Sequence, residues 1–211
     1  MTDFRHDGPV EGPRLLLAHG AGAGSDSPAM EAMTAALVEV GLGVSRFEFG
    51  YMAARRAGGG RRPPPKAATM TDEYREAVAA LDHRGPLVIG GKSMGGRVAS
   101  LIADEALDAR QAGGLLCLGY PFHPPKRPDQ PRTAHLAALR MPTLICQGTR
   151  DPFGGPDEVA GYALSDRIEI AWFEDGDHDL KPRKRVTGLG HADHLAAMAA
   201  RVRGWVDGLI A

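Results

Sequence analysis

A serine with a glycine two residues away on each side, Gly91-Lys92-Ser93-Met94-Gly95, closes the apolar run Pro86-Leu87-Val88-Ile89. A strand that breaks into G-x-S-x-G turns so sharply that side chains two positions from the serine would collide with their neighbours. Glycines there remove the collisions and leave the hydroxyl exposed. Such a serine does acyl-transfer chemistry when a base and an orienting acid accompany it. Both types follow in the chain. Asp151 lies in Gln147-Gly148-Thr149-Arg150-Asp151-Pro152, just after the apolar run Pro142–Cys146, and His178 lies in Glu174-Asp175-Gly176-Asp177-His178-Asp179, just after Ile168–Phe173. Serine, then acid, then histidine is the chain order this arrangement requires. His178 is expected to take the Ser93 proton and return it to the leaving group, while Asp151 holds the imidazole tautomer. Asp175, Asp177 and Asp179 crowd His178 and stand as rival partners for it. Two backbone N–H groups are expected to face the developing oxyanion: Met94, directly after the serine, and Ala21 in His19-Gly20-Ala21-Gly22, with Gly22 as its rival. His19 is expected to position that loop by hydrogen bonding and to move no proton.

Other chemistries fit less well. Gly91-Lys92-Ser93 resembles the end of a phosphate-binding P-loop, but such a loop needs glycine at position 86, and Pro86 stands there. Gly20-x-Gly22-x-Gly24 is one residue short of a dinucleotide fingerprint, although Glu48 follows at about the right distance. His191 and His194 share a helix face, but no third ligand sits at metal spacing, so no metal and no cofactor is expected.

The elements that must position these residues repeat as strand, glycine-rich turn, helix. Arg14–His19, Val44–Phe49, Pro86–Gly90, Gly114–Leu118, Pro142–Cys146 and Ile168–Phe173 read as strands. Ser27 caps a helix with Pro28 at its first position, Thr69 begins another, a third follows the serine, and shorter ones fall near 132–139 and 156–163. Gly190–Ile210 closes the chain with Leu195, Met198, Val202, Val206 and Leu209 on one face. Residues 51–68 read as a mobile basic loop and 120–131 as a proline-rich one. Strands alternating with helices predict a doubly wound, mostly parallel sheet, with the site at the carboxyl ends of its strands.

The bulk properties bound the rest. A chain of 211 residues, 43% hydrophobic, is read as one domain over 1–211. A formal charge of −1 gives no reason to expect a nucleic-acid partner. The chain has no run of 18 apolar residues and its first segment carries Asp3, Asp7 and Glu11, so neither a membrane partner nor a secretory signal is expected. Cys117 and Cys146 lie alone in separate strands, as reduced core residues of a cytoplasmic protein would.

HGAGAGSDSP, GGKSMGGR, QGTRDPFG and DGDHDLKPRK together resemble the small dienelactone-hydrolase-like α/β-hydrolases, in particular the branch related to the hydrolase-like subunit of the nuclear non-specific-lethal complex. The resemblance runs from about residue 13 to the end. It implies an α/β-hydrolase fold with six strands, ordered 4-3-5-6-7-8 in that fold's labels, its first two strands absent or vestigial, and no large cap. Dienelactone hydrolase itself uses a cysteine nucleophile, so with serine at 93 its lactone chemistry is not carried over. The expected function is hydrolysis of a small-molecule carboxylic ester or thioester through an acyl-enzyme. Acyltransfer or peptidase chemistry on the same three residues, or a non-catalytic interaction module, are the alternatives. Basic residues cluster in the two loops, and Arg55, Arg61, Arg62, His123 and Arg132 are expected to form a cationic rim that favours an anionic substrate.

Overall fold

The computed structural model describes residues 2–60 and 63–211. In chain order the elements are β1 (Phe4–Asp7), β2 (Arg14–Ala18), α1 (Pro28–Glu39), β3 (Gly43–Phe47), α2 (Gly50–Arg56), α3 (Thr71–Ala80), β4 (Leu87–Lys92), α4 (Met94–Asp108), β5 (Gly114–Leu118), β6 (Thr143–Gly148), α5 (Pro156–Val159), β7 (Ile168–Phe173), α6 (Lys184–Thr187) and α7 (His191–Ile210). Short 3-10 turns at Ala67–Thr69 and Ala134–Ala138 complete them.

The strands form one sheet in the order β1-β3-β2-β4-β5-β6-β7. From β3 to β7 every pairing is parallel, so the ends of β2, β4, β6 and β7 emerge on one edge. The doubly wound parallel sheet without a large cap is as expected, and β3-β2-β4-β5-β6-β7 follows the implied order. The sheet has seven strands, however, not six. Phe4–Asp7 pairs antiparallel with β3, Phe4 opposite Phe47 and Asp7 opposite Val44. Its residues are half-buried or exposed at the sheet edge, so no apolar run marks it.

Both faces of the sheet are covered. Along β2, Leu16 and Ala18 point into a core shared with Tyr74 of α3 and Val98 and Ile102 of α4. Leu15 and Leu17 point the other way, against Met33 and Leu37 of α1 and Met198, Val202 and Val206 of α7. Two-sided burial is why β2 reads as a continuous apolar run rather than an alternating one. Ser27 caps α1 as expected, accepting from the Met30 N–H. Cys117 and Cys146 are buried and unpaired. No described helix is long and apolar enough to cross a membrane.

Several segments differ from expectation. The helix expected to begin at Thr69 starts at Thr71, the one near 132–139 is the 3-10 turn Ala134–Ala138, and α6 was not expected. Residues 51–68 are not one loop: the first six continue α2, which begins at Gly50, and Ala67–Thr69 form a 3-10 turn. The helix expected near 156–163 ends at Val159.

Candidate active site

Ser93 stands between β4 and α4 with φ 52° and ψ −115°, a left-handed conformation uncommon outside glycine. Close approach explains the glycines around it. A Cβ on Gly91 or on Gly95 would lie 2.3 Å from the carbonyl oxygen of Ala18, because β2 runs directly beside the turn. The strain is held in place by the Ser93 N–H bond to the Leu118 carbonyl at 3.0 Å. Met94 is the first residue of α4, so its N–H has no acceptor within the helix.

The turn after β2 faces this elbow. His19 is fully buried; its Nε2 accepts from the Phe49 N–H at 3.2 Å, which leaves Nδ1 to donate to the Gly20 carbonyl at 2.7 Å. Burial lowers its pKa, against the pull of the Gly20 bond, and keeps the ring neutral. From α2, the Tyr51 hydroxyl donates to the Ala21 carbonyl at 3.1 Å and Arg55 to the Gly22 carbonyl at 3.3 Å. The carbonyls of Gly20–Gly22 are thus each held by a side chain. Ala21 and Ser93 line the same clefts.

Asp151 follows β6 and has a fully buried side chain. Its Oδ2 lies 2.8 Å from His178 Nδ1 and accepts from Gln147 Nε2 at 3.0 Å, while Oδ1 accepts from the Phe153 N–H at 2.9 Å. The three rival carboxylates are engaged elsewhere. Asp175 is clasped by Arg183 and Arg150, and the Arg183 guanidinium holds it well below the usual carboxylate range. Asp177 accepts from the N–H groups of Asp179 and Lys181. Asp179 pairs with Lys92 at 3.1 Å; burial would raise its pKa, but the ammonium outweighs that and lowers it. His178 Nε2 has no partner among the described residues. Phe153 packs on the ring, centroids 4.3 Å apart.

Around Ser93 the surface is cleft on two sides. One cleft, about 390 Å³, is lined by His178, Lys92, Met30 and the Gly20–Ala23 turn. The other, about 530 Å³, is lined by Met94, Arg97, Arg132, Pro121 and the Pro64–Ala68 segment. Ser93, Ala21 and Phe153 border both. A hollow of about 580 Å³ beside Glu48, Glu73 and Glu76 is lined by neither Ser93 nor His178.

Of the expected cationic rim, Arg55 and His123 are engaged elsewhere. Arg55 braces the Gly22 carbonyl, and its neighbour Arg56 is paired with Asp26 and Glu48. His123 is buried, 2% exposed, between the Pro124 carbonyl and Glu158, so it meets no ligand. Arg61 and Arg62 lie outside the described residues. Among the three described residues of the five, Arg132 lines a cleft with Ser93. Arg97 does so too, one turn along α4, and was not expected; its place four residues after the serine, in the first turn of the elbow helix, was the available signal. Gln147 was also missed. Its Oε1 accepts from the Tyr120 N–H at 2.7 Å while its amide holds Asp151, a double role that no sequence spacing marks. His191 and His194, considered as half of a metal site, bond instead to the carbonyls of Asp179 and Leu180 and tether the His178 loop.

Residues 11–207 match the alpha/beta hydrolase domain family. Solved structures with the same fold include Est1E from Butyrivibrio proteoclasticus, 15% identical over 96% of this chain and 90% of that one, TM-score 0.68. XC6422 from Xanthomonas campestris, described as an a/b serine hydrolase without lid, is 21% identical over 97% and 89%, TM-score 0.66. The thioesterase domain from the curacin biosynthetic pathway is 15% identical over 94% and 93%, TM-score 0.65.

Proposed function

The chain belongs to the alpha/beta hydrolase domain family, and on that premise we propose that it is a serine hydrolase that cleaves carboxylic esters or thioesters through an acyl-enzyme. The observation that carries the reading is the 2.8 Å contact between His178 Nδ1 and Asp151 Oδ2, which leaves Nε2 as the ring's open nitrogen in a cleft it shares with Ser93. Ser93 Oγ attacks the carbonyl carbon as Nε2 takes its proton. The carbonyl oxygen, now negative, is stabilised by the N–H groups of Met94 and Ala21. Collapse of the tetrahedral species expels the alcohol or thiol, which leaves with the proton from Nε2. Water, deprotonated by Nε2, then attacks the acyl-enzyme; the bond from the acyl carbon to Ser93 Oγ breaks, Nε2 returns the proton to Oγ and the acid is released. Asp151 orients the ring and supports the imidazolium through the Nδ1–Oδ2 contact.

The finer kinship, with the branch related to the hydrolase-like subunit of the nuclear non-specific-lethal complex, belongs to the same proposal, as does treatment of 1–211 as one catalytic domain. A fluorophosphonate probe tests the reading. Wild-type protein should label at Ser93, and the Ser93→Ala protein should not. Wild-type protein that stays unlabelled would return the chain to a non-catalytic interaction module.

A further inference from the structure

Arginine side chains in a protein interior are normally paired, because a guanidinium loses its hydration on burial. In this chain Arg14, Arg46, Arg55, Arg75, Arg201 and Arg203 are at least partly buried, and each bonds an acceptor. Arg97 and Arg132 are also partly buried, yet neither side chain has a hydrogen-bond or ion-pair partner among the described residues. Arg97 Nε is fully shielded and unbonded. Both line the 530 Å³ cleft beside Ser93, where among the described residues the one further cation is the exposed Lys66 and no carboxylate is present. The two cations repel, and Arg97 lowers the pKa of Arg132 after burial has done so first. Two uncompensated guanidiniums held together in a cleft form a receptor for an oxyanion.

The two clefts have different duties. The general acid must reach the leaving-group oxygen, so the alcohol or thiol departs on the side lined by His178. The acyl part then extends to the other side of Ser93, towards Arg97 and Arg132. We infer that the larger cleft is an acyl pocket for a carboxylate-bearing acyl group, clamped by Arg97 and Arg132, so that the substrate is a monoester or monothioester of a dicarboxylic acid. This rests on the reading of Ser93 as nucleophile.

The test compares three aryl esters on the intact protein: mono-(4-nitrophenyl) adipate, 4-nitrophenyl hexanoate, and 4-carboxyphenyl hexanoate, which carries its charge on the leaving group. The adipate should exceed the hexanoate in kcat/KM by about tenfold or more, as expected for a charge-assisted hydrogen bond. That advantage should shrink as salt rises, and the carboxyphenyl ester should show no such gain. In Arg97→Met and in Arg132→Met, on separate elements, the adipate-to-hexanoate ratio should fall towards one. Equal kcat/KM for the wild type on adipate and hexanoate overturns the assignment, as does a ratio that survives both substitutions or a preference for the charge on the phenol. Preference for 4-nitrophenyl 5-phosphonopentanoate over the adipate would replace the carboxylate by a phosphoryl group and overturn the dicarboxylate assignment. If the protein labels with fluorophosphonate and cleaves the hexanoate without acid preference, only this inference falls. Failure to label removes the hydrolase reading itself.

Discussion

The Lys92 ammonium donates to the carbonyl oxygen of His178 at 2.7 Å, joining the residue before Ser93 to the backbone of His178 across 86 positions of sequence. Lys92 is buried, 5% exposed, and burial pulls its pKa down against the opposing pull of Asp179. The long side chain thereby sets the height of the His178 loop over Ser93. Lys92→Met keeps the aliphatic stem and removes the tether. A misplacement of about 1 Å at a reacting group costs on the order of 100-fold, so kcat on 4-nitrophenyl hexanoate should fall roughly 10- to 100-fold with a smaller change in KM. A kcat close to wild type would assign the holding of that loop to His191 and His194.

Ser93→Ala should remove ester hydrolysis while circular dichroism and thermal unfolding stay close to wild type, since the turn is set by backbone approach and not by the hydroxyl. Loss of a triad member typically costs about 10⁴- to 10⁶-fold in turnover. More than about a tenth of wild-type activity in a folded sample would end the acyl-enzyme mechanism.

Asp151→Asn and His178→Ala should each cripple turnover, and the double variant should be little worse than the poorer single one, because the pair acts as a unit. Asp151→Asn that remains active would move the orienting role to another group. Asp175, Asp177 and Asp179 each have other partners in the structure, which makes that the unexpected result.

His135 is held neutral. Burial and the nearby Arg97 charge lower its pKa to about 4, and its Nε2 meets Ser100 Oγ at 2.8 Å. In the unfolded chain a histidine binds its proton near pH 6.5. Between those values the unfolded state carries more protons, so the stability contribution is complete above about pH 6.5 and is lost as pH falls towards about 4. Urea midpoints at neutral pH and near pH 5 should therefore fall further for wild type than for His135→Gln. His19, also lowered by burial, contributes in the same direction in both proteins. An equal drop in the two proteins would show that His135 takes no part.

Gly95→Ala and Gly208→Ala should move stability in opposite directions. At Gly95 a Cβ meets the Ala18 carbonyl oxygen at 2.3 Å, and backbone there cannot yield cheaply. Overpacking of this kind costs typically about 1–3 kcal/mol, with the elbow displaced as well. At Gly208, in α7, nothing lies within 4 Å. Alanine there should raise the melting temperature through a gain of about 0.5–1 kcal/mol. Thermal scans of the two purified variants separate the outcomes.

The parts of this protein legible in its sequence are those set by short-range physics. Two-sided burial makes a strand an uninterrupted apolar run, so β2, β4, β5 and β6 could be read directly, and their alternation with helices implied a parallel sheet. The elbow was legible because the steric demand falls on residues two positions away. Asp151 and His178 were legible as chain order and strand ends, which parallel topology converts into a common edge. What the tertiary structure decided are relations between residues distant in the chain. Which of four carboxylates meets His178 depends on where Lys92, Arg150 and Arg183 lie, and those three claim the competitors Asp179 and Asp175. β1 exists because its backbone pairs with β3 some forty residues on, and hydrogen bonds of backbone carry no side-chain signature. The basic residues show the same limit. Charge in a loop says nothing about its partners, and folding paired Arg56 with Asp26 and Glu48, buried His123, and left Arg97 and Arg132 beside Ser93 without an acceptor among the described residues. Sheet register and helix docking set those distances, and neither is encoded in any local stretch of the chain.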